Sequence, residues 1–516
     1  MNRAENLALL KEDAFDILII GGGATGLGAA VDGAARGYKV ALVEGADFAK
    51  GTSSKSTKLV HGGVRYLQNG DISLVIEALR ERGLLCQNAP HLVKNLSFVI
   101  PSYDWWNSPF YGVGLKIYDL MAGKLGLGPS EMISLEETLK HIPNVNQKGL
   151  RGGVLYHDGQ FDDARLSISL AQTASKNDAV LCNYSKVIRL LKEDEEITGA
   201  QVQDVLSGEV FDVRAKVVIN CTGVFADDVL KMDNPAAKAT IRPSQGVHIV
   251  LDKSFLPGDE AIMVPQTTDG RVLFAVPWHD VVIVGTTDTP LEDRLLDPIA
   301  HEDEIQFILD NAGMYMSKKP TKADILSVFA GLRPLAANES VSESTKEVSR
   351  HHKVLVSPSG LISVLGGKWT TYRKMGEDAI DNALVVGALP PRKCQTENMP
   401  IHGYEIAPDW SDPLHVYGSY RKKIRKRIEK ENEQSLSDKF PLFPSMIRWA
   451  VKKEMAMTLE DVLARRTRAI LFDAKEARKI APEVARLMAQ YLGEDARWIT
   501  RQVEEFHAFS NPYVVN

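Results

Sequence analysis

Residues 17–44, ILIIGGGATGLGAAVDGAARGYKVALVE, constrain this chain more than any other stretch. The apolar run Ile17–Ile20 reads as a buried parallel strand, and Gly21-x-Gly23-x-x-Gly26 follows it directly. Small residues then continue at helical density, and Lys39–Val43 reads as a second strand ending at Glu44. Each residue type has a physical task. Gly21 permits a tight turn, Gly23 lets the backbone approach a pyrophosphate, and Gly26 lets helix and strand pack closely. Ala24 and Thr25 open the helix, whose N–H groups and partial positive charge suit phosphates. Glu44, 21 residues beyond Gly23, can accept hydrogen bonds from an adenosine ribose and disfavours a 2′-phosphate. The chain is therefore expected to cradle a dinucleotide. The cradle alone does not separate FAD from NAD.

An NAD domain normally continues with another strand–helix pair. Here residues 52–67, TSSKSTKLVHGGVRYL, follow the acid instead. Hydroxyl and glycine residues accumulate where an extended FAD would run towards its isoalloxazine, and Ser53, Ser54, Ser56 and the amides around His61-Gly62-Gly63 can serve it. With this second block the sequence resembles the FAD-dependent glycerol-3-phosphate dehydrogenase family, of the aerobic, membrane-associated type. IGGGATGLGAAVDGAARG (20–37) is similar to the family's N-terminal signature, and GGKWTTYRK (366–374) to its C-terminal one. Intermediate matches are FDDARL (161–166), VINCTG (218–223), GVHIV (246–250), VGTTDTP (284–290) and GLRPL (331–335), with EMAMTLEDVLARRTR (454–468) in the tail. Leu27 stands where a smaller residue is expected, and Gly376 where alanine is usual.

The resemblance implies an α/β fold. It consists of a Rossmann-like FAD-binding domain (glutathione-reductase/D-amino-acid-oxidase-like), an inserted antiparallel-β substrate domain and a C-terminal helical domain. The expected FAD-binding domain is discontinuous, at 1–80, 151–240 and 326–390. The substrate domain is expected at 81–150 and 241–325, where runs such as VLFAVPW and VVIVGTTD alternate with turn signals, and the helical domain at 400–516. The implied cofactor set is Gly21, Gly23, Ala24, Thr25, Gly26, Glu44, Thr52, Ser53, Ser54, Lys58, Leu59, His61, Gly62, Gly63, Val187, Thr222, Gly223, Gly367, Lys368 and Thr370.

The substrate that the resemblance implies, glycerol 3-phosphate, is a small dianion whose C2 hydrogen leaves as hydride to the flavin. It needs cations, a base for its hydroxyl and a dry site. Arg65, Arg333 and Lys368 are the cations of the three strongest blocks, joined as substrate contacts by Tyr66 and Thr371. His248 in QGVHIVL is the leading base, because imidazole titrates near neutrality. A satisfied core histidine is its bland alternative. Lys368 is the rival base, and Arg333 and Lys368 complete the catalytic set with His248.

Composition excludes several other classes. The 516 residues carry a net charge of −6, so no basic field argues for nucleic acid. The four cysteines are far apart and form no CxxC pair, against a zinc site or disulfide framework. No metal is expected. The N-terminus lacks a signal-peptide core, and no window of about 18 apolar residues suggests a spanning helix. The family usually passes electrons to membrane quinone from a peripheral position, which implies a cytoplasmic enzyme at the inner face of the membrane. A homodimer is compatible with it. YRKKIRKRIEKE (420–431), with seven basic residues, and the aromatic stretch 105–126 are the candidate contacts. A solvated helix face and a substrate-domain wall are the alternatives for them. The competing functions are an oxidase variant using oxygen, a flavin oxidase of amines or 2-hydroxy acids, and a non-catalytic FAD-binding scaffold.

Overall fold

The computed structural model describes residues 1–63, 71–103, 107–336 and 351–515. After a helix at Arg3–Glu12, β1 (Ala14–Ile20), the helix Ala24–Ala35 and β2 (Val40–Val43) form the expected strand–helix–strand unit. β1 pairs in parallel with β2 on one side and β10 (Val210–Asn220) on the other, with Ile19 opposite Leu42 and Ile219. β7 (Val180–Cys182) extends the parallel sheet past β2, and β18 (Ile362–Leu365) extends it past β10. β17 (Lys353–Val356) closes one edge antiparallel. The hairpin β8 (Ser185–Glu193) and β9 (Glu196–Asp204) joins through β10.

Ile17, Ile19, Leu27, Ala29 and Ala30 are fully buried, so Leu27 fills core volume and is not misfitted. Gly376 is explained by a close helix crossing. A Cβ on it would lie 2.5 Å from the carbonyl carbon of Gly28, where the helix Tyr372–Val386 crosses Ala24–Ala35. Alanine does not fit that approach without a backbone shift.

The second sheet has ten strands. β3 (Leu59–Val60), β4 (Val93–Ser102), β5 (Glu131–Ser134) and β6 (Gly152–Phe161) form one flank. β11 (Ile241–Asp252), β12 (Ala261–Val264), β13 (Leu273–Trp278), β14 (Val281–Gly285), β15 (Thr289–Pro290) and β16 (Ile325–Ala336) form the other, joined by the parallel pair β4–β12. β3, β6 and β16, placed with the nucleotide domain from sequence, belong to the second sheet. Short apolar strands of either sheet carry the same residue types, so composition cannot assign them.

The C-terminal part is helical: Arg421–Glu431, Pro444–Lys453, Ala474–Leu492 and Ala496–Ser510. It is not a detached module. Leu459, Val462, Ala477 and Val484 share one continuous core with Ile17, Leu27 and Leu166. Buried charges stitch the same seam. Asp47 pairs with Arg465 and Arg466 at 2.6 Å each, Arg165 with Glu454 at 2.7 Å, and Arg468 with Asp163 at 2.9 Å. Among the described residues no helix is long and apolar enough to cross a membrane.

Candidate active site

The turn after β1 is built for close approach. Gly21 has φ +108°, and a Cβ there would lie 2.7 Å from the Cys221 carbonyl oxygen. A Cβ on Gly26 would lie 1.9 Å from the Gly21 carbonyl oxygen, so only glycine closes this turn. Gly23 occupies the helix N-cap and offers no side chain to cover it. The Ala24 amide donates to Ser53 Oγ at 2.9 Å, which ties the second block to the helix mouth. Thr25 lies in the same first turn. Glu44 accepts from the amides of Gly22 (2.6 Å) and Ala46 (2.8 Å), and burial raises its pKa. Gly45 abuts Lys186, so Val187 lies at the same end of the cradle as the acid. Thr222 and Gly223 follow β10, and Gly223, at φ +60°, faces open space. Glycines that a Cβ would block, a helix N-terminus whose cap residue is glycine and an acid after β2 fit the pyrophosphate and ribose of FAD.

From the cradle the chain leads into a cavity of about 220 Å³. It is lined by Thr52, His61 and Leu59 from the second block, His248 from β11, Arg333 from β16, and Lys368 with Thr370 from the third block. The blocks are fastened together: Thr52 Oγ1 donates to the Leu332 carbonyl (2.6 Å), Trp369 Nε1 to the Ser53 carbonyl (2.9 Å), and the His61 amide to Thr370 Oγ1 (3.3 Å). Gly367, at φ +84°, turns the chain so that Lys368 enters this wall.

Arg333 is held in a fixed orientation. Its Nη1 donates to the Gln245 carbonyl (3.1 Å) and Asp288 (3.2 Å), and its Nη2 to Thr286 Oγ1 (3.1 Å) and the Thr287 carbonyl (2.9 Å). Gly246 makes room for it, since a Cβ there would lie 2.4 Å from Nη2. His248 is 3% exposed and stacked on Phe329 at 4.8 Å. Burial first, then the charges of Lys58 and Arg333, hold its pKa well below the ordinary value, so the imidazole is neutral.

Several expected contacts are placed elsewhere. Lys58 is fully buried, and its ammonium is committed to Asp163 (2.7 Å) and the Ser54 carbonyl (2.9 Å) beneath the loop. Burial lowers its pKa to about 8 against the pull of Asp163. The Gly62 amide is committed to Tyr118 (2.8 Å) and Asp158 (3.3 Å), because Gly62 packs on the helix Ile72–Asn88; Gly63 follows at φ +74°. Ser54 is buried, with its carbonyl turned to Lys58 and Arg468. Thr371 is buried with its hydroxyl on the Lys368 carbonyl (3.3 Å), so Thr370 and not Thr371 lines the cavity. Arg65 and Tyr66 lie outside the described residues. Sequence reasoning passed over Thr57, Lys55 and Gly246. The first two sat inside a block read for its serines, and Gly246 beside the histidine that drew attention.

A pyrophosphate cradle that leads into a cavity lined by Lys55, Arg333 and Lys368 defines a flavin-dependent oxidoreductase. Residues 16–373 match the FAD dependent oxidoreductase family model, and residues 394–498 match the C-terminal domain of alpha-glycerophosphate oxidase. The chain is 40% identical to the mitochondrial glycerol-3-phosphate dehydrogenase of Mesocricetus auratus, over 97% of this chain and 73% of that protein. It is 38% identical to the corresponding Arabidopsis thaliana protein, over 94% and 84%. Its fold overlays the FAD complex of glycerol-3-phosphate dehydrogenase from Bacillus halodurans with TM-score 0.80 at 27% identity, covering 99% and 97% of the two chains. The chain belongs to the FAD-dependent glycerol-3-phosphate dehydrogenase family, and its cofactor is FAD.

Proposed function

We propose that the enzyme oxidises sn-glycerol 3-phosphate to dihydroxyacetone phosphate and passes the electrons to a quinone. The observation that carries the first part is the convergence of Arg333, Lys368 and a neutral His248 on one cavity at the end of the FAD cradle. The bound flavin supplies the two-electron acceptor for the C2 hydride. Arg333, with its fork fixed by Asp288 and three oxygen acceptors of β11 and the β14–β15 turn, orients the phosphate, and Lys368 adds a point charge. His248 takes the hydroxyl proton, since a neutral imidazole is the form able to accept one. The cavity wall of Trp369, Phe274 and Leu59 keeps water from the reacting carbon.

A peripheral membrane position at the inner face serves the quinone. Ile72 and Ile76, Ile117 and Leu120, and Met132 are exposed on three adjoining elements, which suits an interfacial apolar surface. The basic helix Arg421–Glu431 is less suited. Arg421 and Arg425 pair with Asp412, and Arg427 with Glu431, as on a solvated face. Anaerobic glycerol 3-phosphate is expected to bleach the yellow protein, and a soluble quinone to restore the colour faster than air. Bleaching by lactate or an amino acid instead would remove the substrate reading; rapid reoxidation by air would favour an oxidase. Flotation with anionic vesicles, lost on Leu120→Glu, tests the membrane position.

A further inference from the structure

One hydroxyl without a role so far stands at the edge of the imidazole. Thr57 lines the cavity together with His248, and its Oγ1 lies 2.9 Å from His248 Nε2. The ring is closely packed beside it. Phe329 stacks on one face with the planes 8° apart, and a Cβ on Gly285 would lie 2.3 Å from Cδ2 and 3.0 Å from Nε2. The other ring nitrogen, Nδ1, is buried and has no hydrogen-bond partner among the described residues. Protons therefore enter and leave the imidazole through Nε2, where Thr57 is in contact. A hydroxyl differs there from a carbonyl or carboxylate. It donates to a bare Nε2 and accepts from a protonated one, so it serves both states of a base.

We propose that Thr57 is a catalytic residue whose hydroxyl relays the substrate's C2 hydroxyl proton to His248. This rests on the reading of His248 as the base. The substrate O–H bond breaks and an O–H bond forms at Thr57 Oγ1, while the former Thr57 O–H breaks and an N–H forms at His248 Nε2. The C2 hydride leaves with its electron pair to the cofactor, so the substrate is oxidised, the cofactor is reduced and no further reactant is required. The charged groups around the relay are Lys58 and Arg333, which act on the ring, and Lys55 and Lys368 on the same cavity. Asp163, Asp288 and Asp297 pair with Lys58, Arg333 and Lys55. None of them contacts Nε2 through a hydrogen bond among the described residues, so the hydroxyl is the group that touches it.

Thr57→Val keeps the shape and deletes the hydroxyl, Thr57→Ser restores it, and His248→Gln removes the base. Anaerobic flavin reduction by glycerol 3-phosphate is followed across pH in the FAD-loaded enzyme, and FAD content and melting confirm that each variant folds. The rate should fall roughly 10²-fold in Thr57→Val, lose its imidazole limb in the pH profile, and recover to within a few-fold in Thr57→Ser. Nitrogen NMR of labelled histidine supplies a readout independent of turnover: the His248 tautomer signals should shift in Thr57→Val and return in Thr57→Ser. A Thr57→Val enzyme with the parental rate and pH profile, beside a slow His248→Gln, overturns the relay alone. A His248→Gln enzyme with parental reduction overturns the base itself, and the relay with it.

Discussion

Gly285→Ala puts the geometry of the imidazole to a quantitative test. Gly285 sits at the end of β14, between His248 on one neighbouring strand and Phe274 on the other. Its backbone is not in the left-handed region, so alanine meets no left-handed strain there. The added methyl would lie 2.3 Å from His248 Cδ2 and 2.8 Å from Cγ. Restoring ordinary contact requires the ring to retreat by about 1 Å, and Phe329 stacked behind it at 4.8 Å blocks that path. Overpacking of this kind costs about 1–3 kcal/mol of stability. A displacement of about 1 Å in a proton acceptor costs roughly 10²-fold in the chemical step. Rapid mixing of oxidised enzyme with glycerol 3-phosphate under argon reads the second effect as the rate of flavin bleaching, and thermal melting reads the first. Bleaching within two-fold of the parent, with an unchanged melt, would refute the view that His248 is held by its neighbours in a working position.

Gly246→Ala pushes against Arg333 Nη2 from 2.4 Å and should raise the KM for glycerol 3-phosphate about tenfold with kcat changed less; a change confined to kcat would take Arg333 out of phosphate binding. Arg165→Met leaves the buried Glu454 without its bidentate partner and should cost about 3–5 kcal/mol, with most of it regained in the Arg165→Met/Glu454→Met double variant; chemical denaturation measures both. Burial holds His91 at about 3 and His415 at about 4, and both side chains are nearly inaccessible. Below an unfolded-state pKa of about 6.5 the unfolded chain binds protons that the folded chain refuses, so stability present at neutral pH is lost on acidification, by about 2 kcal/mol per histidine at pH 5. A melting temperature that stays flat from pH 7 to 5 would contradict this account.

The cradle was legible because its signal is local. The strand at Ile17–Ile20, the glycine turn and the acid at Glu44 lie within one short window, and each has a steric or electrostatic reason to be where it is. His248, Arg333 and Lys368 stood out as candidates through their blocks, and all three line one cavity. The position of Lys58 was not legible, because its partner Asp163 is 105 residues away and nothing in TSSKSTK distinguishes a lysine aimed inward from one aimed at a ligand. The sheet that β3, β6 and β16 join was not legible for a related reason. Which sheet a strand joins is decided by distant partners such as β11 for β16, not by its own pattern.

The pairing of Asp47 with Arg465 and Arg466 also bears on how the protein is made. The partners are separated by 418 and 419 residues, and Arg468 reaches back 414 residues to the Ser54 carbonyl. Synthesis runs from the N-terminus, so the nascent chain displays the glycine cradle long before the cations that fasten its loop have left the ribosome. During that interval an unpaired Asp47 carboxylate is better hydrated than buried. The contacts that bury Asp47 therefore wait for residues 465–468, and a chain ending before them lacks the guanidinium partners of Asp47 and of the Ser54 carbonyl.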